Sequence, residues 1–505
     1  MAAQTDIAAA RSAALAASSE LMAELGLSSA KRSLEGAAAT TTAAEKARRK
    51  TARKARSSAA AEASNQPRRR SLRQLGLQTD GENAVDKSDI SLFTPYQAPA
   101  KPQRTPGDVT AKDAFIRQEG EGSVSDSNDL KVFLGTSVKR PAQRKAVPWS
   151  KLSLRHEHHM DKAVGARIYS IAMHPGAQPV AVIGDKEGML GLWRPTSGAL
   201  PVPPGADPEE LLDSGALMQF RAHSRPINAV KALNDVIMTC SYEGNVRLLD
   251  VHSGVFRESY VHFPDDDSPR AAGLAYADIS SDSRVLVASS FDGELVVADT
   301  RSMTAREGPL ARGRTERDCV VIDAHSKKAS SVSLHPGGHH VATASHDNTV
   351  CVWDLRKLGR GKRGAGASPV STLAHGGGVT SAFFSECGER LVSTCNDDFL
   401  RVWHNAPTCK GKPAVSIKHN NHTGRWLSNF RTVFDPSDSS RIVIGAMQIR
   451  HLQAFDSNTG EQVCSVGDEL LTAVPTLNAV HPHVPVVVSG TGSGRVHMWS
   501  AADWS

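Results

Sequence analysis

A short pattern recurs along the C-terminal part of this 505-residue chain: a polar turn, an alternating strand and a closing residue pair. Ser345–Arg356, S-H-D-N-T-V-C-V-W-D-L-R, is its clearest copy. The turn residues His346, Asp347 and Asn348 reverse the chain, and the alternation puts Val350 and Val352 on one face of a strand. Equivalent closing positions fall at Trp193, Leu249-Asp250, Ala298-Asp299, Trp353-Asp354, Trp403, Phe455-Asp456 and Trp499, spaced by 56, 49, 55, 50, 52 and 44 residues. Seven units at this period predict an all-β, seven-bladed propeller with one four-stranded blade per repeat. Only six residues follow Trp499, too few for a last strand. That strand should come from Trp149–His159, and the closure would cover edges that an open sheet leaves exposed. The propeller is therefore expected over 149–505.

Residues 1–148 differ in kind. Residues 1–73 hold 14 Lys/Arg against 6 Asp/Glu, a net of +8, while the whole chain is +6, so the remainder sums to −2. The basic excess belongs to the N-terminal region, and basic surface on the propeller must come from local clustering. Residues 1–30 are Ala-rich with Leu15, Met22 and Leu25 at helical spacing, which fits either a short helix or a fraying tail. Asp6, Arg11 and Glu20 make a poor signal peptide, while the Ala, Ser and Arg content leaves an organellar transit peptide open. The runs K-A-R-R-K-T-A-R-K-A-R (46–56) and P-R-R-R-S-L-R (67–73) are too poor in apolar residues to fold alone. They suit nuclear import, nucleic-acid contact or a solubilising role. Residues 74–148 read as a linker, with short pairing expected near Asp129–Leu134.

Seven scattered Cys, with no C-x-x-C, suggest neither a disulfide framework nor a zinc site and fit a reducing compartment. No apolar run reaches membrane-spanning length, so no membrane partner is expected. His325, Thr343, Asp347 and Trp353 look like a hydrogen-bonded structural set. Similar residues recur in other repeats, whereas a catalytic set would occur once. His156, His158 and His159 have no Cys or carboxylate companions at ligand spacing, so no metal is expected. Neither a phosphate-binding G-x-x-x-x-G-K-[ST] nor a nucleophile elbow is present, and no cofactor is implied.

One stretch breaks the repeat. Lys418–Leu427, K-H-N-N-H-T-G-R-W-L, precedes the first strand of the sixth blade. It gathers Lys418, His419, Asn420, Asn421, His422, Arg425 and Trp426 around Gly424, more chemistry than a connection needs. It is expected to be a recognition loop, or else a structural cap in which Trp426 plugs a core edge. In a WD40 propeller the loops entering each blade share a face with each blade's second turn. Arg167, Arg225, Lys327, Lys328, Lys418 and Arg425 lie on loops of the first kind, and Lys186 and Arg450 on turns of the second. All eight should meet on one rim.

The G-D-K-E-G turn (184–188), S-Y-E-G (241–244), N-N-H-T-G-R-W-L (420–427) and P-R-R-R-S-L-R together resemble the WD repeat-containing protein 76 family and its yeast DNA-damage-binding members. That family is similar to damage-specific DNA-binding protein 2. The resemblance implies a nuclear, non-enzymatic protein that binds duplex DNA in the damage response. It matches His419–Trp426 to a lesion-inserting hairpin region, Lys327 and Lys328 to a basic turn, and Lys186 to a phosphate-facing lysine. The loop carries one Trp and two His where the relative has an aromatic-rich wedge. One Trp offers little against a few kcal/mol of unstacking per step, so general duplex binding is the safer expectation. W-D-L-R at 353–356 also looks like the box by which WD40 substrate receptors bind the adaptor of cullin-4 ubiquitin ligases. Asp354 and Arg356 would carry that contact, on the face opposite the basic rim. The sequence thus supports two functions: a DNA-binding propeller, or a ligase receptor or chromatin scaffold with histones or other proteins as main ligands.

Overall fold

The computed structural model describes residues 105–119, 127–135, 147, 149–154, 160–176, 178–195, 216–262, 273–303, 319–358, 367–424 and 427–501. The repeats form seven antiparallel sheets arranged as a propeller. Blade 1 runs from the axis outward as Ile168–His174, Val180–Asp185, Met189–Arg194 and Ala216–Arg221. Blades 2 to 7 start at the axis with Ile227–Ala232, Leu274–Ile279, Ala329–Leu334, Val379–Phe384, Val433–Phe434 and Pro475–Val480. All seven closing positions fall at or within two residues of the end of the third strand of their blade.

Val350 and Val352 share one face of the strand, as the alternation predicts, but the other face is not polar. Both are fully buried, but so are Cys351 and Trp353 on the other face of the strand. Val350 and Val352 pack with Val379, Leu391 and Trp403 of the next blade. Cys351 and Trp353 pack with Val287 and Leu295 of the previous one. A blade is sandwiched between neighbours, so its inner strands need apolar residues on both faces, and the second strand Val180–Asp185 is buried throughout. The ring closes as the sequence indicates. Leu152–Leu154 pairs antiparallel with Val496–Ala501, with Leu154 opposite Trp499. The first and last blades then share one core, in which Ile168, Ile183 and Trp193 meet Val486, Val488 and Met498.

The stretch expected as linker contributes more than a connection. Val109–Thr110 pairs with the outer strand of blade 2 and Phe115–Glu119 with that of blade 1, making both five-stranded. Asp129–Leu134 does not pair as a strand; it lies within a helix, Ser127–Leu134. Leu130, Phe133 and Leu134 of that helix are buried with Val180 and Leu192 of blade 1. Leu130, Phe133 and Leu134 recur at i, i+3 and i+4, a helical period that one apolar stripe explains better than a period of two.

The recurring polar residues are satisfied within the turns. His325 Nδ1 lies 3.0 Å from Asp347 Oδ2 and its Nε2 2.7 Å from Thr343 Oγ1, which also accepts from Trp353 Nε1 at 2.9 Å. Blade 2 repeats the set with Glu243 in place of the aspartate: His223 Nδ1 is 2.7 Å from Glu243 Oε1 and Nε2 2.8 Å from Thr239 Oγ1. The His-Pro turns do related work on the other face. His335 Nε2 meets Gly388 O of blade 5 at 2.9 Å, and His174 Nε2 meets Asn234 O of blade 2 at 3.2 Å.

Candidate nucleic-acid interface

The loop entering each blade interlocks with that blade's second turn. Lys186 N donates to Arg167 O at 2.9 Å, and His346 N donates to Lys328 O at 3.1 Å. The same turn also packs against the loop entering the next blade, closely enough to dictate sequence. Gly188 has φ +87°, and a Cβ there would sit 2.1 Å from His223 O, so the D-K-E-G turn must end in glycine. The blade-entry loops and second turns therefore form one face, and Arg167, Lys186, Arg225, Lys327, Lys328, Lys418 and Arg450 all lie on elements that end there.

Lys186, Arg225, Lys327, Lys418 and Arg450 are exposed, while Arg167 and Lys328 are half-buried. No acidic side chain among the described residues comes within ion-pair distance of Lys186, Arg225, Lys327, Lys328, Lys418 or Arg450. The same face carries carboxylates, but many are engaged inside the turns. Glu243 accepts from Ser224 N at 3.0 Å and from the Ser224 hydroxyl, besides its contact with His223. Burial pushes its carboxyl up, but the His223 and Ser224 contacts outweigh it and lower the pKa to about 2. Asp397 accepts from Arg401 Nη1 and Nη2 at 3.0 and 2.6 Å, and Asp347 is held by His325, Ser326 N and Thr349. Fixed carboxylates with internal donors leave the exposed cations to set much of the outward potential.

The irregular loop divides in two. His419 and Asn421 are buried and do not present themselves to a ligand. His419 Nδ1 is 2.7 Å from Asn421 Oδ1, and its ring stands edge-on to Phe430 with centroids 5.7 Å apart. Asn421 Nδ2 donates to Cys395 O at 2.8 Å, and its N–H donates to Asp398 Oδ1 at 2.9 Å. These two residues fasten the loop to blade 5. Asn420 between them and His422 after them are exposed, with His422 Nε2 3.5 Å from Asp398 Oδ2. Gly424 sits at φ +61°. Arg425 and Trp426 lie outside the described residues. Beyond them the loop reaches toward the axis: Ser428 Oγ donates to Ile168 O at 2.5 Å and Arg431 Nη1 to Tyr169 O at 3.3 Å, tying the entry of blade 6 to blade 1.

At the axis, cations sit on aromatic rings. Lys328 Nζ lies 4.5 Å from the centroid of Phe291 and 5.4 Å from that of Tyr242. The Arg431 guanidinium lies 4.8 Å from the centroid of Tyr276, and that of Arg167 5.4 Å from Tyr169. Tyr242 packs against both Tyr169 and Phe291, at 6.0 and 4.9 Å. Burial, and secondly the charge of Arg431, lower the Lys328 pKa to about 8. Arg431 also lines a cavity of about 130 Å³ with Ile171, Tyr276, Phe383, Val433, Leu477 and Asn478. Sequence reasoning passed over Arg431. The position four residues before the turn at His335 or Ser385 is a serine, Ser331 or Ser381, whereas four before Asp435 stands Arg431. That outlier was the available signal.

On the opposite face, Asp354 is buried and Arg356 exposed. Arg356 Nε and Nη2 each donate to Asp354 at 2.9 Å, and Asp354 also accepts from Arg356 N at 3.1 Å. Leu355 N donates to His339 O, which fixes this turn beside the first turn of blade 4. Blade 3 repeats the geometry at Asp299 and Arg301, with bonds of 3.0 and 2.6 Å, a second D-x-R that the sequence scan missed. It follows Ala298, where a search keyed on Trp-Asp does not look.

A WD domain, G-beta repeat model matches residues 317–354 and 367–404. Each match runs from before the outer strand of one blade through the third strand of the next, the same offset that closes the ring. The chain is 30% identical over 409 residues to WD repeat-containing protein 76 of Xenopus laevis, covering 79% of this chain and 63% of that protein. It is 27% identical over 469 residues to DNA damage-binding protein CMR1 of Phaeosphaeria nodorum, covering 86% of each. It is 27% identical over 424 residues to WD repeat-containing protein 76 of Mus musculus, covering 82% of this chain and 61% of that protein. The chain thus spans about three-fifths of the length of these two WD repeat-containing protein 76 relatives. It is a seven-bladed WD40 propeller with homologues named for DNA-damage binding.

Proposed function

We propose that this protein is a non-enzymatic, nuclear, duplex-DNA-binding propeller of the DNA-damage response, and that DNA lies on the face carrying the blade-entry loops. The observation that carries this proposal is the gathering of Lys186, Arg225, Lys327, Lys418 and Arg450, exposed and without acidic partners among the described residues, on a propeller stretch that is not basic overall. Homologues named DNA damage-binding protein CMR1 support it. Phosphates would be held by these cations and by Arg167 and Arg425. Asn420, His422 and Trp426 would meet the grooves or bases, and His419 and Asn421 would position that loop. If about six cations meet phosphates, the logarithm of affinity should fall with the logarithm of salt at a slope near −5, from roughly −0.9 per phosphate. Binding of the full chain to plain and damaged duplexes across a salt series tests this. A slope near zero, or no duplex binding, would refute it.

The clamped Arg356 favours a second role that is compatible with the first. An arginine held by a buried carboxylate yet exposed at its tip is preorganised for a protein acidic or carbonyl group. It supports docking of a cullin-4 ligase adaptor on the face away from DNA, with histones or other chromatin proteins as further ligands. Equal recovery of the adaptor by wild type and Arg356→Ala would argue against it.

A further inference from the structure

We propose that the axial mouth of the loop face is a recessed site for a phosphate monoester, and that on DNA it takes the terminal phosphate of an interrupted strand. This rests on the DNA-binding role proposed above.

Lys328 and Arg431 differ from the exposed rim cations in being half-buried and supported by rings, as Arg167 also is. No carboxylate among the described residues pairs with either one. Two like charges that influence each other across a partly dehydrated mouth are costly unless an anion joins them. The carboxylate of the adjoining turn is otherwise committed: Asp347 holds His325. The cavity of about 130 Å³ beside Arg431, which Lys328 does not line, is small, with room for an oxyanion rather than a nucleotide.

The setting selects among phosphates. An internal diester carries one negative charge and lies along the flank of the duplex, where exposed rim cations reach it. A terminal monoester carries about −1.5 to −2 near neutral pH and three free oxygens, and it projects from the strand end. It matches two recessed cations in charge and in reach. The aromatic walls exclude water around the pair, which strengthens each charge-assisted hydrogen bond.

Full-length protein is titrated into three hairpin-closed duplexes that have no other ends: intact, nicked with a 5′-phosphate, and nicked with a 5′-hydroxyl. The 5′-phosphate nick should bind roughly tenfold more tightly than the 5′-hydroxyl nick, ~1.4 kcal/mol. Lys328→Met should abolish that difference. Equal affinity of wild type for the two nicks overturns the inference and leaves the DNA role standing. This comparison needs no variant, so it holds even if Lys328→Met folds poorly. Failure of wild type to bind any duplex overturns both proposals. Capture of a phosphoserine peptide in place of all three duplexes would overturn them too and give the mouth to a phosphorylated protein.

Discussion

The entries to blades 4 and 6 make the same connection in different ways. Five residues, 324–328, join the outer strand of blade 3 to the first strand of blade 4, and fourteen, 419–432, join blade 5 to blade 6. Each loop has a histidine near its start, His325 and His419. His325 is spent on the turn of its own blade, through Asp347 and Thr343. His419 is spent within its loop, on Asn421. Both loops also bring a cation to the axis, Lys328 and Arg431. The difference is in what remains. The short loop leaves only Ser326 and Lys327 exposed, whereas the long one leaves Asn420, His422, Gly424 and Asn429. The longer loop thus adds exposed polar residues beyond those, like His419 and Asn421, that it spends on its own anchoring.

That contrast is most exposed to failure at Trp353. Trp353→Ala should cost about 3–5 kcal/mol of stability, read by denaturant unfolding, because it leaves a core cavity and removes one of the hydrogen bonds at Thr343. DNA affinity per folded molecule should not change; a specific loss of affinity would mean the repeat residues also bind. The opposite signature is expected of the triple charge reversal Lys186→Glu, Arg225→Glu and Lys327→Glu. Affinity should fall roughly a hundredfold at low salt, ~2.7 kcal/mol. Each exposed site should shift stability by no more than about 0.5 kcal/mol.

Within the long loop the contrast sharpens to adjacent residues. Asn421→Ala should destabilise by about 1–3 kcal/mol, since it leaves the Cys395 carbonyl buried and short of a donor. Asn420→Ala should leave stability within about 0.5 kcal/mol and lower only DNA affinity. Equal effects would erase the division between anchor and contact. The smallest and most gradual effect is on pH. Burial lowers the His375 pKa to about 4, from an ordinary value near 6.5. The unfolded chain therefore binds more protons between those values, and stability falls as pH drops from 6.5 toward 4. Thermal melts across that range check the sign.

The sequence made the ring legible because its closing residues are tied to geometry: Trp353 and Trp499 each donate to a hydroxyl on the neighbouring strand, so they recur at the blade period. The strand that closes the ring could be placed by counting what was missing after Trp499. Less legible were the added strands at Val109–Thr110 and Phe115–Glu119. They are short and lie beyond the repeat, and pairing through the backbone leaves little side-chain signature. The rim cations could be assigned to a face from topology alone. Lys328 and Arg431 could not be separated from them, because recession toward the axis depends on packing against Tyr242, Phe291 and Tyr276 from other blades. Asn421 likewise looked like a contact residue until its partners on blade 5 were known.

The central claim is that folded-surface cations, rather than the basic N-terminal runs alone, hold DNA. The most direct measurement compares the salt dependence of duplex binding by full-length wild type and the Lys186→Glu, Arg225→Glu, Lys327→Glu variant. Removing three phosphate contacts should flatten the logarithmic slope by about 2.7, at roughly 0.9 per contact. Superimposable slopes and affinities would contradict the account and assign DNA binding to residues outside the propeller face.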